Sequence, residues 1–179
     1  VEKEIKQYTK ENVKLFCIGK KGYEYFSKQG YIVEKYYIDF WNNLKFNIAT
    51  DIGKDIIESF TNNKVDEVKV IYNYFKNVAT QETKFEQFLP IIPKEVENDK
   101  IKKSIELLYE PSEKKLLELL IPKHLNTQIW KYLLESFASE QGARMVAMEN
   151  ATENAGDMIS ELTLEFNKAR QTAITTEML

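Results

Sequence analysis

The chain has 179 residues with 25 basic and 28 acidic side chains, a formal net charge of −3. That balance excludes an electrostatic nucleic-acid binder, whose affinity rests on a basic surface. One cysteine (Cys17) and one histidine (His124) exclude Cys/His zinc sites, multi-histidine metal sites and an internal disulfide.

Six glycines and four prolines fall below the usual roughly 7% and 5%, so the elements should be long and uninterrupted. No run approaches the roughly 20 apolar residues of a membrane span, and no signal-peptide pattern opens the chain. With 43% hydrophobic residues, a soluble globular protein is expected. The chain opens on Val1 rather than Met and stops at Leu179 inside a helical pattern, as a piece of something longer would.

In chain order, Val13–Ile18 is a short apolar run ended by Gly19, the profile of a buried strand. Lys20–Gln29 reads as a short helix carrying Tyr23 and Phe26, closed by Gly30 in a left-handed cap. Tyr31–Ile38 is rich in β-branched and aromatic residues and predicts a second strand. Ile48, Ile52, Ile56 and Phe60 recur every four residues, one face of an amphipathic helix over Ile48–Phe60. Glu67–Phe75 alternates Val68, Val70 and Tyr72, a third strand. The order β-α-β-α-β is that of a parallel sheet with crossover helices, an α/β layer. Lys84–Leu89 can form an edge strand ended by Pro90, and Pro90–Lys103 is polar and loop-like. Ser112 can cap a helix over Glu113–Ile121, which Pro122 then interrupts or kinks.

From about His124 to Leu179 no proline occurs, and some 55 residues would make roughly 80 Å of helix. The composition changes at the same place. Up to Ile121 there are 20 basic and 20 acidic residues, and 18 of the 22 aromatics precede Pro122; Pro122–Leu179 has five basic against eight acidic. Two domains follow: an α/β globular head over 1–121 and a long C-terminal helix over 122–179. Leu125, Ile129, Trp130, Leu133, Leu134 and Phe137 should pack on the head. Beyond them Gln141, Arg144, Met148, Ala151, Ala155, Met158, Leu162, Ala169 and Ala173 make a heptad-like seam, with Phe166 one place out of strict register. Its small residues admit a close partner helix while burying little area each.

Tests for catalytic chemistry are poorly met. A Rossmann-type site needs a glycine-rich turn after the first strand, and the turn here is Gly19-Lys20-Lys21-Gly22, without GxGxxG. It can meet an anion at a helix N-terminus or simply carry solvated lysines. Nothing around Asp39, at the end of the second strand, suggests a ribose ligand. Cys17 reads as a core residue, and His124 as a capping or solvated one. Asp66/Glu67 and Glu95/Glu97 fall in loop-like stretches. No catalytic, cofactor or metal residues are identified.

Two stretches of the tail carry a family resemblance. Ala138-Ser139-Glu140-Gln141-Gly142-Ala143-Arg144-Met145-Val146-Ala147-Met148 and Asn167-Lys168-Ala169-Arg170-Gln171-Thr172-Ala173-Ile174-Thr175-Thr176-Glu177 resemble the C-terminal helix of the gamma subunit of F-type ATP synthase. The second contains the opening of the family signature, I-T-x-E, which in the family continues to an acidic residue and a Gly-Ala pair. In the head, Ile18-Gly19-Lys20-Lys21-Gly22 resembles the family's I-G-x-K-G turn, and Leu108-Tyr109-Glu110-Pro111 its Y-E-P motif.

The resemblance implies a non-catalytic rotor shaft: a small Rossmann-like α/β head with two long helices wound as an antiparallel coiled coil. Here the N-terminal helix, the seam's partner, and the family's first strand and following loop would be missing. It implies no cofactor, no nucleic acid and no small-molecule substrate. Implied partners are the alpha and beta subunits of the catalytic head, the epsilon subunit and the membrane c-ring. Arg170 and Gln171 match positions that hydrogen-bond a loop of one beta subunit, a catch released during rotation. Tyr109 and Glu110 match the foot that meets the c-ring and epsilon. The implied location is peripheral, on the cytoplasmic face of the bacterial inner membrane or the matrix side in mitochondria. Two other readings compete: a scaffold that dimerises through its C-terminal helix, and an α/β nucleotide-binding enzyme.

Overall fold

A computed structural model describes residues 5, 8–38, 40–92, 109–110 and 112–178. Strands β1 (Lys14–Ile18) and β2 (Ile32–Tyr37) pair in parallel, from Lys14 opposite Ile32 to Ile18 opposite Tyr37. Parallel neighbours need a crossover, and helix α1 (Lys20–Lys28) supplies it. Gly19, at φ +117°, takes the chain from β1 into α1 in a conformation that side chains rarely adopt, and its N–H donates to the Tyr37 carbonyl at 2.8 Å. Gly30 has the expected left-handed φ, +76°.

Helix α2 (Phe46–Thr61) buries Ala49, Ile52, Gly53 and Ile56, a face with helical spacing. A Cβ on Gly53 would lie 2.0 Å from Asn126 Oδ1 and 3.4 Å from Ile129 Cδ1. The missing side chain is what lets α2 approach the long helix so closely.

β3 (Val68–Phe75) and β4 (Gln81–Leu89) form a second two-stranded sheet. Residues 76–80 are too few for a crossover, so the pair is an antiparallel hairpin. Asn77 and Thr80 close it by exchanging backbone bonds of 3.2 Å each.

The α/β class holds: a small parallel sheet with helices, followed by one long C-terminal helix. The third strand differs from expectation. Among the described residues it pairs with β4 instead of extending the parallel pair, because alternation identifies a strand but not its neighbour. β4 starts three residues earlier than expected and is β3's partner.

Pro122 does not end a helix either. α3 runs from Glu113 to Glu177 with Pro122 inside it. An interior proline forfeits one backbone bond and crowds the carbonyl four residues back, at about 3 kcal/mol. Burial of Leu125, Ile129, Tyr132 and Leu133 immediately downstream, at about 1.5–3 kcal/mol for each large aliphatic side chain, offsets that penalty. Ser112 caps the start as its sequence suggests: its carbonyl accepts from Leu116 N–H at 3.0 Å and its Oγ from Lys115 N–H at 3.4 Å.

The chain divides into two compact units, Val1–Tyr72 with Lys84–Leu134, and Asn73–Thr83 with Glu135–Leu179. In the first, Tyr72 and Tyr132 lie 4.5 Å apart between ring centres, and Phe46 meets Trp130 edge-on at 5.9 Å. Both Tyr72 and Tyr132 hydroxyls donate to Glu86, at 2.7 and 3.0 Å. Burial alone would push the Glu86 carboxyl up; the two hydroxyls, with Lys131 and Lys84 nearby, outweigh it and hold it below its ordinary value. Tyr132 is pushed up to about 12 by burial and by its bond to Glu86. Of the residues expected to pack on the head, Leu125, Ile129 and Leu133 are buried, whereas Leu134 is 41% exposed; the buried Tyr132 went unread in the sequence.

In the second unit, the hairpin end meets α3 mainly through polar groups. Glu135, Ser136 and Ser139 bond the backbone of Asn73 and Phe75. Gly142 lies against the ring of Phe75.

Candidate functional site

Past Glu140, α3 is exposed almost throughout. Its alanines, glutamates, methionines and leucines are strong helix formers, so propensity supports the helix where packing does not. The seam residues Met148, Ala151, Ala155, Met158, Leu162, Ala169 and Ala173 all lie on it and all face solvent, Met148 at 65%, Met158 at 63% and Leu162 at 59%. Phe166 follows Leu162 by four and precedes Ala169 by three, so it shares their stripe; it is 66% exposed. Ile159, four after Ala155 and three before Leu162, also belongs to the stripe and is 66% exposed. A strict heptad count passes over Ile159, whereas a 3.6-residue period finds it. A continuous exposed apolar stripe of this length is the mark of an interaction surface.

Several hydroxyls of this segment are already engaged. Those of Thr152, Ser160, Thr163, Thr172, Thr175 and Thr176 each donate to the carbonyl four residues back, at 2.7–3.1 Å. Arg144 is paired with Glu140 one turn earlier at 2.5 Å.

Arg170 and Gln171 are adjacent, exposed positions in the last turns of α3. Tyr109, 43% exposed, and Glu110 stand just before its first turn. The first pair falls in the second compact unit and the latter in the first. Leu117, Leu119, Leu120 and Ile121, following Glu110, are also exposed, Leu119 at 72%. That cluster was not singled out from the sequence, although four apolar residues in five positions cannot all face one side of a helix.

Elsewhere the chemistry is sparse. The Gly19–Gly22 turn leads into α1, where Lys20 lies 3.9 Å from Glu24 on the same helix. One open cleft of about 310 Å³ lies among Tyr36, Tyr37, Ile38, Phe40, Ile48 and Asp51. Beside it Asp55 accepts from the Tyr37 hydroxyl and pairs with Lys35. Burial opposes ionisation of Asp55, yet the bonds from Lys35 and Tyr37 hold its carboxyl below the ordinary value. A second cleft of about 530 Å³ is walled by Phe88, Pro90, Ile91, His124, Leu125 and Tyr132.

Cys17 is buried, and burial pushes its thiol up, away from the reactive thiolate. Among the described residues no group of three or more His, Cys, Asp or Glu is placed to hold a metal. Asp39, Glu95 and Glu97 lie outside the described residues, as does most of the Pro90–Lys103 stretch. No helix among the described residues is long and apolar enough to cross a membrane.

Comparison with known proteins gives a single answer. Residues 1–179 match the family model described as ATP synthase. The chain is 44% identical over 171 residues to the ATP synthase gamma chain of Chlorobium phaeobacteroides (strain BS1), covering 96% of this chain and 58% of that one. It is 46% identical over 165 residues to the gamma chain of Geobacter sp. (strain M21), covering 92% and 56%. The chain thus spans less than two thirds of the length of these relatives.

Among solved structures, a chain of the central stalk/c-ring of the Tetrahymena thermophila mitochondrial ATP synthase superposes with a TM-score of 0.61 at 25% identity, covering 84% of this chain and 66% of that one. A chain of the Euglena gracilis mitochondrial ATP synthase rotor shares the fold, with a TM-score of 0.59 at 19% identity over 97% and 68%. The chain belongs to the ATP synthase family, and within it to the gamma chains.

Proposed function

We propose that this chain is part of the central stalk of a proton-translocating F-type ATP synthase, where it couples c-ring rotation to conformational change in the alpha/beta catalytic head. The observation that carries the reading is the segment of α3 beyond Glu140, a helix with a continuous exposed apolar stripe that is small at Ala151, Ala155, Ala169 and Ala173 and larger between them. Residues 1–121 serve as the head and 122–179 as the shaft. The stripe Met148–Ala173 takes a second helix of the gamma chain along its length.

Arg170 offers a planar fork to a carboxylate, and with Gln171 it acts as a releasable catch on a beta subunit; the exposure of both is consistent with that role. Tyr109 and Glu110 belong to the foot that meets the c-ring and the epsilon subunit, and the exposed Leu117–Ile121 cluster beside them supports a contact there. The chain does no chemistry of its own and sits peripherally at the membrane, on its cytoplasmic or matrix side.

The test replaces the matching segment of a complete gamma chain with this sequence, then assembles the enzyme in membrane vesicles. ATP-driven proton pumping is expected. An assembled complex that hydrolyses ATP without pumping would refute the coupling role. The exposed stripe also suits a homodimeric scaffold. That reading predicts a gamma-independent dimer by analytical ultracentrifugation, undisturbed by a peptide of the gamma N-terminal helix.

A further inference from the structure

One edge of β3 lies against β4; at Asn73 and Phe75 the opposite edge meets side chains of α3. The N–H of Asn73 donates to Ser136 Oγ at 3.3 Å, and its carbonyl accepts from Ser139 Oγ at 3.1 Å. The N–H of Phe75 donates to Glu135 Oε2 at 2.9 Å. These are the groups a further strand would use. Alternate residues of a strand present their backbone groups to the same side, so residues 73 and 75 reach the helix together.

On α3, Glu135, Ser139 and Gly142 follow spacings of four and three, and so share one face. Ser139 is only 2% exposed, and a hydroxyl that deep must be bonded. Gly142 completes the approach: a Cβ there would lie 3.0 Å from Phe75 Cε2 and 3.6 Å from the backbone of Val78. All of these residues belong to the same compact unit.

We propose that Glu135, Ser136 and Ser139 are positioning residues that bracket the hairpin end Asn73–Thr83 to the long helix, so that the two turn as one piece. The mechanical half of this inference rests on the shaft reading above. Apolar packing is non-directional and permits sliding. Hydrogen bonds to backbone fix register, because they weaken steeply with misalignment. Slipping α3 by one residue turns its faces by about 100° and takes all three side chains off the strand edge. The same bonds close this edge of β3 to strand addition by another chain.

The experiment uses the complete ATP synthase carrying Glu135→Ala, Glu135→Gln or Ser136→Ala, with two readouts. Amide exchange at Phe75 should quicken by about 10- to 100-fold in Glu135→Ala, the loss of one hydrogen bond to a charged acceptor. It should stay within about threefold of the parent in Glu135→Gln, whose side-chain carbonyl still accepts. Protons pumped per ATP hydrolysed should fall in Glu135→Ala and recover in Glu135→Gln, while hydrolysis and subunit content stay unchanged.

Unchanged exchange in Glu135→Ala overturns the bracket, whatever the pumping does. Quickened exchange with undiminished pumping overturns its mechanical role and leaves the shaft reading standing. If Glu135→Ala fails to assemble, Ser136→Ala, which removes the acceptor of the Asn73 N–H, decides the matter through amide exchange at Asn73 and the same pumping ratio. An unsubstituted complex that does not pump sinks the shaft reading instead, and exchange still judges the bracket.

Discussion

Glu86 is the most informative single position for testing how the hairpin is held to the long helix. Its carboxylate accepts from two tyrosines that are 5% and 7% exposed, Tyr72 on β3 and Tyr132 on α3. Glu86→Ala leaves both hydroxyls without that acceptor. A buried hydroxyl stripped of its partner costs about 1–3 kcal/mol, and water reaching the half-exposed Glu86 side favours the low end, so the pair should lose about 2–3 kcal/mol. For a chain of this size that lowers Tm by about 4–12 °C.

Urea and thermal melts of Glu86→Ala, Tyr132→Phe and the double variant give the assay. The two changes should be less than additive by about 1 kcal/mol, because they share one bond. A Glu86→Ala melt within about 1 °C of the parent, or strict additivity, would refute the reasoning.

The pH dependence has a definite sign. The folded Glu86 carboxyl lies below its ordinary value of 4.5, so its contribution is present above 4.5 and is lost as pH falls through the lower folded value. Tyr132 behaves in the opposite sense. Its value rises from 10.0 to about 12, so its contribution is complete below pH 10 and fades as pH climbs through about 12. Glu86→Ala should abolish the acid limb that this group supplies.

Three further outcomes are expected. Gly53→Ala should destabilise the α2–α3 contact by about 1–3 kcal/mol through overpacking, and Asn126→Ala, which removes the amide 2.0 Å from the new Cβ, should restore most of the loss in a urea melt. Arg170→Ala in the complete enzyme should lower coupled ATP turnover with assembly intact, and unchanged turnover would dispose of the catch. The isolated chain should neither hydrolyse ATP nor show micromolar nucleotide binding by calorimetry; measurable turnover would contradict the shaft reading.

Periodicity made the elements readable. β1, α1, β2, α2 and β3 fall within one or two residues of where their apolar spacing and their glycines put them, and Ser112 caps α3 as its position suggests. What failed was pairing. β3 and β4 alternate as any strands do, and nothing in that alternation says that they join each other instead of β1. Pro122 misled because its local penalty is visible in sequence while the burial that outweighs it comes from distant chain. The exposed stripe was legible from spacing alone. The bracket was not, because Glu135 and Phe75 are 60 residues apart and a glutamate beside two serines looks like an ordinary solvated helix face.

The back-bonded hydroxyls of the tail bear on friction. A hydroxyl that has given its proton to a carbonyl on its own helix has less to offer a surrounding wall. Thr152, Ser160, Thr163, Thr172, Thr175 and Thr176 therefore present mainly methyl, methylene and lone-pair surface to whatever passes. Such side chains also loosen the backbone bonds they share and favour bending. On the proposed shaft reading, a helix dressed in this way would be slippery and slightly compliant, properties that would serve a part sliding against one neighbour after another without sticking to any of them.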